Sequence, residues 1–145
     1  MHIAQAMIGS GQVKNMREVF DKYIGFLKPC YAPHIKFSPK EAVELILNAG
    51  GVPVLAHPGI MHKDEYIPEL IEYGLRGIEV YHTDHNAGKV KHYENLAAEH
   101  GLLVTGGSDC HGMGKGKPLI GIVRVPYELV EKLKSESEKI RDANR

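Results

Sequence analysis

Apolar residues at three- and four-residue spacing alternate along this chain with short apolar runs rich in β-branched side chains. The clearest helix follows Ser38-Pro39-Lys40-Glu41, a capping box with proline at the first helical position. Ala42, Leu45, Ile46 and Ala49 form its expected buried stripe, and Gly50-Gly51 ends it. Upstream, His2 to Gly9 reads as a short helix closed by glycine. Met16, Val19, Phe20, Tyr23, Ile24 and Leu27 predict a second helix over 15–27. Lys28 to Phe37 contains Pro29 and Pro33 and reads as a loop. Val52-Pro53-Val54-Leu55-Ala56 predicts a buried strand, with Pro53 tolerable near its start.

The same alternation continues downstream. A helix is expected over about 64–73, with Ile67, Leu70 and Ile71 inward, then a strand at Gly77-Ile78-Glu79-Val80-Tyr81. A helix over about 87–100 presents Val90, Tyr93, Leu96 and Ala97 on one face, and Leu102-Leu103-Val104-Thr105 forms a third strand. Leu119 to Val125 is a candidate fourth strand. Pro126 opens a last helix to about Ile140, carrying Leu129, Val130 and Leu133, and the charged tail from Lys134 to Arg145 is expected to fray. Strands alternating with helices of this length predict an α/β fold with a parallel sheet. Right-handed crossovers then bring the loops that follow the strands to one end, where ligands bind in such folds.

Composition narrows the function. The 145 residues carry 18 Lys+Arg and 18 Asp+Glu, a formal charge of zero, which argues against a dedicated nucleic-acid binder. No apolar run approaches the roughly 18–20 residues that span a bilayer, so no membrane partner is expected. No charged segment followed by an apolar run opens the chain, and the two cysteines, Cys30 and Cys110, are too few for a disulfide scaffold. The expected location is cytoplasmic.

Histidine is the informative residue. Of nine, seven fall between positions 57 and 111: His57, His62, His82, His85, His92, His100 and His111. Three segments carry histidine or aspartate just past a predicted strand: Ala56-His57-Pro58-Gly59, Tyr81-His82-Thr83-Asp84-His85, and Gly106-Gly107-Ser108-Asp109-Cys110-His111-Gly112. Imidazoles and a carboxylate converging on one sheet end are what a metal site requires. Asp109 and His111, two residues apart, point to the same side if that chain is extended. Pro58 biases His57 toward an extended backbone. Two readings stand for His85: a phosphate or water contact, or part of the cap of the next helix at Thr83-Asp84-His85-Asn86. His62, His92 and His100 read as structural or solvated, and Cys110 as packed. Ser108 lacks a Gly-x-Ser-x-Gly setting, which argues against a serine nucleophile.

The segments Gly50 to Gly59, Gly77 to Tyr81 and Thr105 to Gly112 together resemble the C-terminal half of the PHP (polymerase and histidinol phosphatase) family. The nearest subgroup is the stand-alone phosphoesterases that act on nucleoside phosphates and short RNA 5′ ends. Residues 2–50 resemble that subgroup's helical insertion, through His2-Ile3-Ala4, Phe20-Asp21-Lys22-Tyr23 and the Ser38–Gly50 helix. The resemblance implies a partial distorted (β/α) barrel, with residues 1–37 as the helical insertion and 38–145 as the C-terminal part of the barrel. It implies two or three divalent metals, of the zinc, manganese or iron type, that polarise a phosphate and activate the attacking water. By position, His57 resembles the metal ligand of the Ala-His-Pro motif, and Asp109 and His111 the paired ligands of Gly-Ser-Asp-x-His, so these two carry the catalytic centre. His85 and His2 correspond to substrate-side residues.

The family's opening His-x-His-x-x-x-Ser-Asp-Gly and its further His and Glu ligands have no counterpart in this sequence. An intact barrel also needs roughly 200–250 residues or more. The expectation is therefore a metal-dependent phosphoesterase acting on a nucleotide or short RNA, present as a C-terminal segment inactive alone. Two alternatives accompany it. One is a non-catalytic module that oligomerises through exposed sheet edges. The other is a mononuclear amidohydrolase-like hydrolase.

Overall fold

The structure is a computed structural model, and it describes residues 2–33, 37–115 and 117–145. Residues 34–36 of the expected 28–37 loop lie outside the described residues. The chain divides into two units, Met1–Lys36 with Gly112–Lys117, and Phe37–His111 with Pro118–Arg145.

In the first unit, α1 (His2–Gly9) forms as its sequence predicts. Asn15 caps α2 (Met16–Val19) by accepting from the Glu18 N–H. The single helix expected over 15–27 is not continuous: α2 passes into a π-helical turn at Phe20–Ile24, and Gly25 ends it. Gly25 is required there, because a Cβ would lie 2.2 Å from the Phe20 carbonyl oxygen that its own N–H bonds. Ala4, Val13 and Val19 form this unit's small core, with Met7, Ile8, Met16, Tyr23 and Ile24 packed around it.

The second unit holds a parallel sheet in the order β1-β2-β3, built from β1 (Val54–Leu55), β2 (Gly77–His82) and β3 (Leu103–Gly107). The sheet is open rather than closed into a barrel among the described residues. α6 (Ala87–His100) crosses from β2 to β3, capped by Asn86 and ended by Gly101 at φ 64°. The main core lies between this helix and the sheet: Ile67, Ile78, Val80, Tyr93, Ala97 and Leu102. α3 (Pro39–Asn48) begins at the expected capping box: Ser38 N–H donates to Glu41 Oε2 at 2.7 Å and Glu41 N–H donates to Ser38 Oγ at 3.2 Å. That pairing holds the Glu41 carboxyl below its ordinary pKa.

Four expectations are corrected here. α3 buries Val43, with Leu47 and Ala42 half-buried; of the expected stripe, Leu45 and Ile46 are 57% and 39% exposed and Ala49 is exposed. α3 packs on α5 (Ile67–Glu72), and a Cβ at Gly74 would meet Leu47 at 2.9 Å and Val43 at 3.7 Å. The helix expected over 64–73 opens with a 3₁₀ turn at Asp64–Tyr66 before α5. Residues 119–125 are not a strand. The chain turns there, with Ile122 N–H bonded to Leu119 O and Gly121 at φ 82°. The charged C-terminus does not fray: α7 (Glu128–Ala143) buries Ile140, Ser137 Oγ donates to Gly50 O, and Asn144 Nδ2 donates to Leu47 O. Among the described residues, no helix is long and apolar enough to cross a membrane.

Candidate functional site

Strand alternation decides what reaches the sheet end. Ile78, Val80 and His82 share one face of β2 and all three are buried. The register with β3 slips between Glu79 and Tyr81, so Val80 has no partner in the ladder. Gly106 makes this close passage feasible, since a Cβ there would lie 2.6 Å from Tyr81 Cβ and 2.7 Å from Tyr81 O. The Val80 carbonyl accepts a hydrogen bond from His85 Nδ1 at 2.8 Å. This fixes the tautomer, leaving Nε2 as an acceptor, and Nε2 takes the Gly59 N–H at 3.2 Å. The substrate-side expectation for His85 thus meets a buried ring whose two nitrogens are both engaged within the chain. The cap of α6 does fall in the Thr83–Asn86 segment, at Asn86, which accepts from the Lys89 N–H at 3.0 Å.

His57 stands beyond β1 as the residue before the short helix α4 (Pro58–Met61). Its backbone is left-handed, at φ 35° and ψ 52°, rather than extended. Such a conformation costs a β-substituted residue about 1–2 kcal/mol. Glu79 Oε2 holds it by accepting the His57 N–H at 2.8 Å. His57 Nδ1 is buried and has no hydrogen-bond partner. Its ring meets His82 edge-on, with centroids 5.7 Å apart, and His82 in turn lies 5.3 Å from His85.

His82 links the first two loops to the third. Its Nδ1 accepts the Asp84 N–H at 3.0 Å, which puts the proton of the neutral ring on Nε2. That Nε2 is buried without a hydrogen bond and lies 3.8 Å from Asp109 Oδ2. Thr83 Oγ1 ties the second loop to the third by donating to Ser108 O at 2.9 Å. Asp109 is also left-handed, at φ 48°, so the extended geometry expected for Asp109 and His111 does not hold. The two side chains are nevertheless close, with Asp109 Oδ1 3.7 Å from His111 Nδ1. His111 Nδ1 donates to Asp109 O at 2.7 Å, which leaves Nε2 as the electron-pair nitrogen of a ring 38% exposed.

The site therefore brings both His57 and Asp109 against His82, with His111 beside Asp109. His2 belongs to the other unit, where it lines a cavity of about 420 Å³ with Phe20, Cys30 and Tyr31. Cys110 packs where Leu119 N–H meets its sulfur at 3.3 Å. His62, His92 and His100 are exposed, and His92 pairs with Asp64 at 2.9 Å. The sequence placed His82 at a strand end without giving it a role, and it left Glu79 unmarked. His82 was detectable, because it continues the buried Ile78/Val80 face. Glu79 carried a weaker signal, as the one acid within an apolar strand.

The donors suit a divalent cation in kind: a buried, unpartnered imidazole nitrogen on His57, an electron-pair nitrogen on His111 and the carboxylate of Asp109. Among the described residues, no group of three or more His, Cys, Asp or Glu side chains is drawn close enough to hold a metal ion.

Fold and site define an open parallel α/β protein with histidine and carboxylate donors at the strand ends. The chain is 37% identical over 125 residues to the 3′,5′-nucleoside bisphosphate phosphatase of Chromobacterium violaceum, covering 83% of this chain and 44% of that protein. A structure described as a putative metal-dependent phosphoesterase, from Bifidobacterium adolescentis, superposes with a TM-score of 0.74 at 32% identity, covering 93% of this chain and 49% of that one. A second, an amidohydrolase from C. violaceum with bound sulfate and no metal, gives 0.65 at 34%, covering 93% and 50%. No protein-family profile matches the chain. Over most of its own length the chain is similar to PHP-type phosphoesterases, and it spans about half the length, or less, of the relatives it matches.

Proposed function

We propose that this chain supplies the C-terminal part of a metal-dependent phosphoesterase centre acting on a nucleotide or short RNA. The observation that carries it is the meeting of two loops around His82, with His57 and Asp109 both in strained left-handed backbone. Strain of this kind persists where the surroundings over-determine it, and it clusters at functional sites. His57 Nδ1, Asp109 and His111 Nε2 are the groups that would hold the cation. When bound, the cation supplies Lewis-acid polarisation of a phosphoryl oxygen and activation of water. The chain's own part is positional. His82 keeps its Nε2–H 3.8 Å from the Asp109 carboxylate, and Glu79 anchors the His57 backbone. The name of the C. violaceum relative favours a nucleoside phosphate as substrate.

Among the described residues these three donors are not gathered closely enough to hold a metal ion, which argues that the chain alone turns over little or no substrate. Two measurements test this on the purified 145-residue chain. Mn²⁺ binding followed by electron paramagnetic resonance should be weak and lost in Asp109→Ala; no binding by the parent chain overturns the assignment of the donors. Phosphate release from a nucleoside 3′,5′-bisphosphate should be negligible. Robust release that Asp109→Ala abolishes would overturn the inactivity of the isolated chain while upholding the reaction class. The amidohydrolase neighbour favours a second reading, amide hydrolysis, and turnover of amide but not phosphoester substrates would establish it.

A further inference from the structure

We propose that His85 and Lys89 are positioning residues that clamp the Gly59 peptide and thereby hold the His57 turn in its left-handed form. The Gly59 peptide is gripped on both of its backbone polar groups. His85 Nε2 accepts its N–H at 3.2 Å, and Lys89 Nζ donates to its carbonyl at 2.8 Å. Both residues come from the segment that opens α6, while Gly59 lies two residues beyond His57. The grip starts at the slip in β2. Val80, unpaired in the ladder, offers its carbonyl to His85 Nδ1, and that bond makes Nε2 an acceptor. The other tautomer would set Nε2–H against the Gly59 N–H and break the clamp.

Glycine is required at 59 for the same reason. A Cβ there would lie 2.8 Å from His85 Nε2 and 3.0 Å from Lys89 Cδ, so any side chain would push the clamp apart. With Glu79 holding the His57 N–H, the left-handed residue is pinned on its own peptide and, two residues on, by the clamp. Pro58 and Gly59 are both buried between these anchors. The inference is independent of the reaction, being a statement about hydrogen bonds. Only its consequence for metal affinity rests on the phosphoesterase reading.

Three variants of the full chain test it. His85→Phe keeps a ring and removes both hydrogen bonds, His85→Gln restores an acceptor and a donor, and Lys89→Met keeps the stem without the charge. Amide hydrogen exchange at Gly59 and the ¹⁵N shifts of the His57 ring are read by NMR. Exchange at Gly59 should rise about tenfold or more in His85→Phe, with displaced His57 signals, and fall back toward the parent value in His85→Gln. Lys89→Met, at a partly exposed position less liable to unfold the chain, should move both signals in the same direction. Unchanged Gly59 exchange and His57 shifts in a folded Lys89→Met or His85→Phe overturn the proposal. Co²⁺ titration adds the link to the cation, with affinity expected to fall about tenfold or more in Lys89→Met. A displaced His57 ring with unaltered Co²⁺ binding upholds the clamp and overturns His57 as a ligand.

Discussion

The loops that follow β2 and β3 meet at one site yet are built in opposite ways. At the end of β2 and just past it, His82 and His85 are 4% and 8% exposed, and His85 spends both ring nitrogens on the backbone. After β3, Asp109 and His111 keep side chains 30% and 38% exposed, and His111 bonds the backbone of its own loop. The difference follows from what lies beneath each. The β2 loop continues a strand whose Ile78 and Val80 are fully buried, so its imidazoles inherit a dry environment, in which His85 satisfies both nitrogens internally while His82 Nε2 stays without a hydrogen bond. The β3 loop leaves an edge strand of intermediate burial through Gly106-Gly107, and its donors remain accessible. One loop is therefore a support and the other an accessible donor set.

The deepest break is expected on the β2 side. Ile78→Ala removes a fully buried side chain from the main core and should cost about 2–5 kcal/mol, read as a lowered urea midpoint at unchanged slope. A loss below about 1 kcal/mol would show that β2 is no more a support than the β3 loop. The β3 loop should separate stability from chemistry. Asp109→Ala is expected to abolish metal binding while shifting stability by less than about 1 kcal/mol, since the carboxylate is partly exposed. Asp109→Gly should lose binding equally but exceed Asp109→Ala in stability by about 1–2 kcal/mol, because φ 48° is free for glycine. Equal stabilities for the two variants would mean that the loop relaxes out of the left-handed region.

The same contrast separates what the sequence could and could not reveal. The parallel order of the strands followed from apolar runs alternating with helical stripes, and the start of α3 from Ser38 and Glu41. His57, Asp109 and His111 were identifiable as strand-end residues because a strand's end is a local property. Their backbone was not. Pro58 alone favours extended chain at His57, whereas the left-handed turn carries a hydrogen bond from its N–H to Glu79, 22 residues away. The task of His85 depends on a one-residue slip against β3, which no local pattern encodes. The face of α3 failed for a similar reason: two apolar stripes were available, and contact with α5 selected Val43 and Leu47. At the C-terminus, composition favoured fraying, but Ile140 and two long-range bonds to Gly50 and Leu47 outweighed it.

The smallest expected effect probes the layer behind the buried imidazoles. Tyr93 packs its ring on His85, with centroids 5.4 Å apart, and its hydroxyl donates to Asp64 Oδ1 at 2.9 Å. Burial, reinforced by the Asp64 carboxylate, raises the phenol above its ordinary pKa. The folded state therefore holds this proton at pH values where the unfolded chain, titrating near about 10, has released it. Below that value the contribution of Tyr93 is constant, and above it stability falls with rising pH because the unfolded state binds fewer protons. Tyr93→Phe should cost about 1 kcal/mol at neutral pH, the worth of one hydrogen bond, with Asp64 retaining His92 as partner. The variant should also lose stability less steeply than the parent chain above pH about 10 in urea titrations. Parallel decline in both chains would mean that the Tyr93 proton is not held by the fold, and that the support beneath the β2 loop ends at His85.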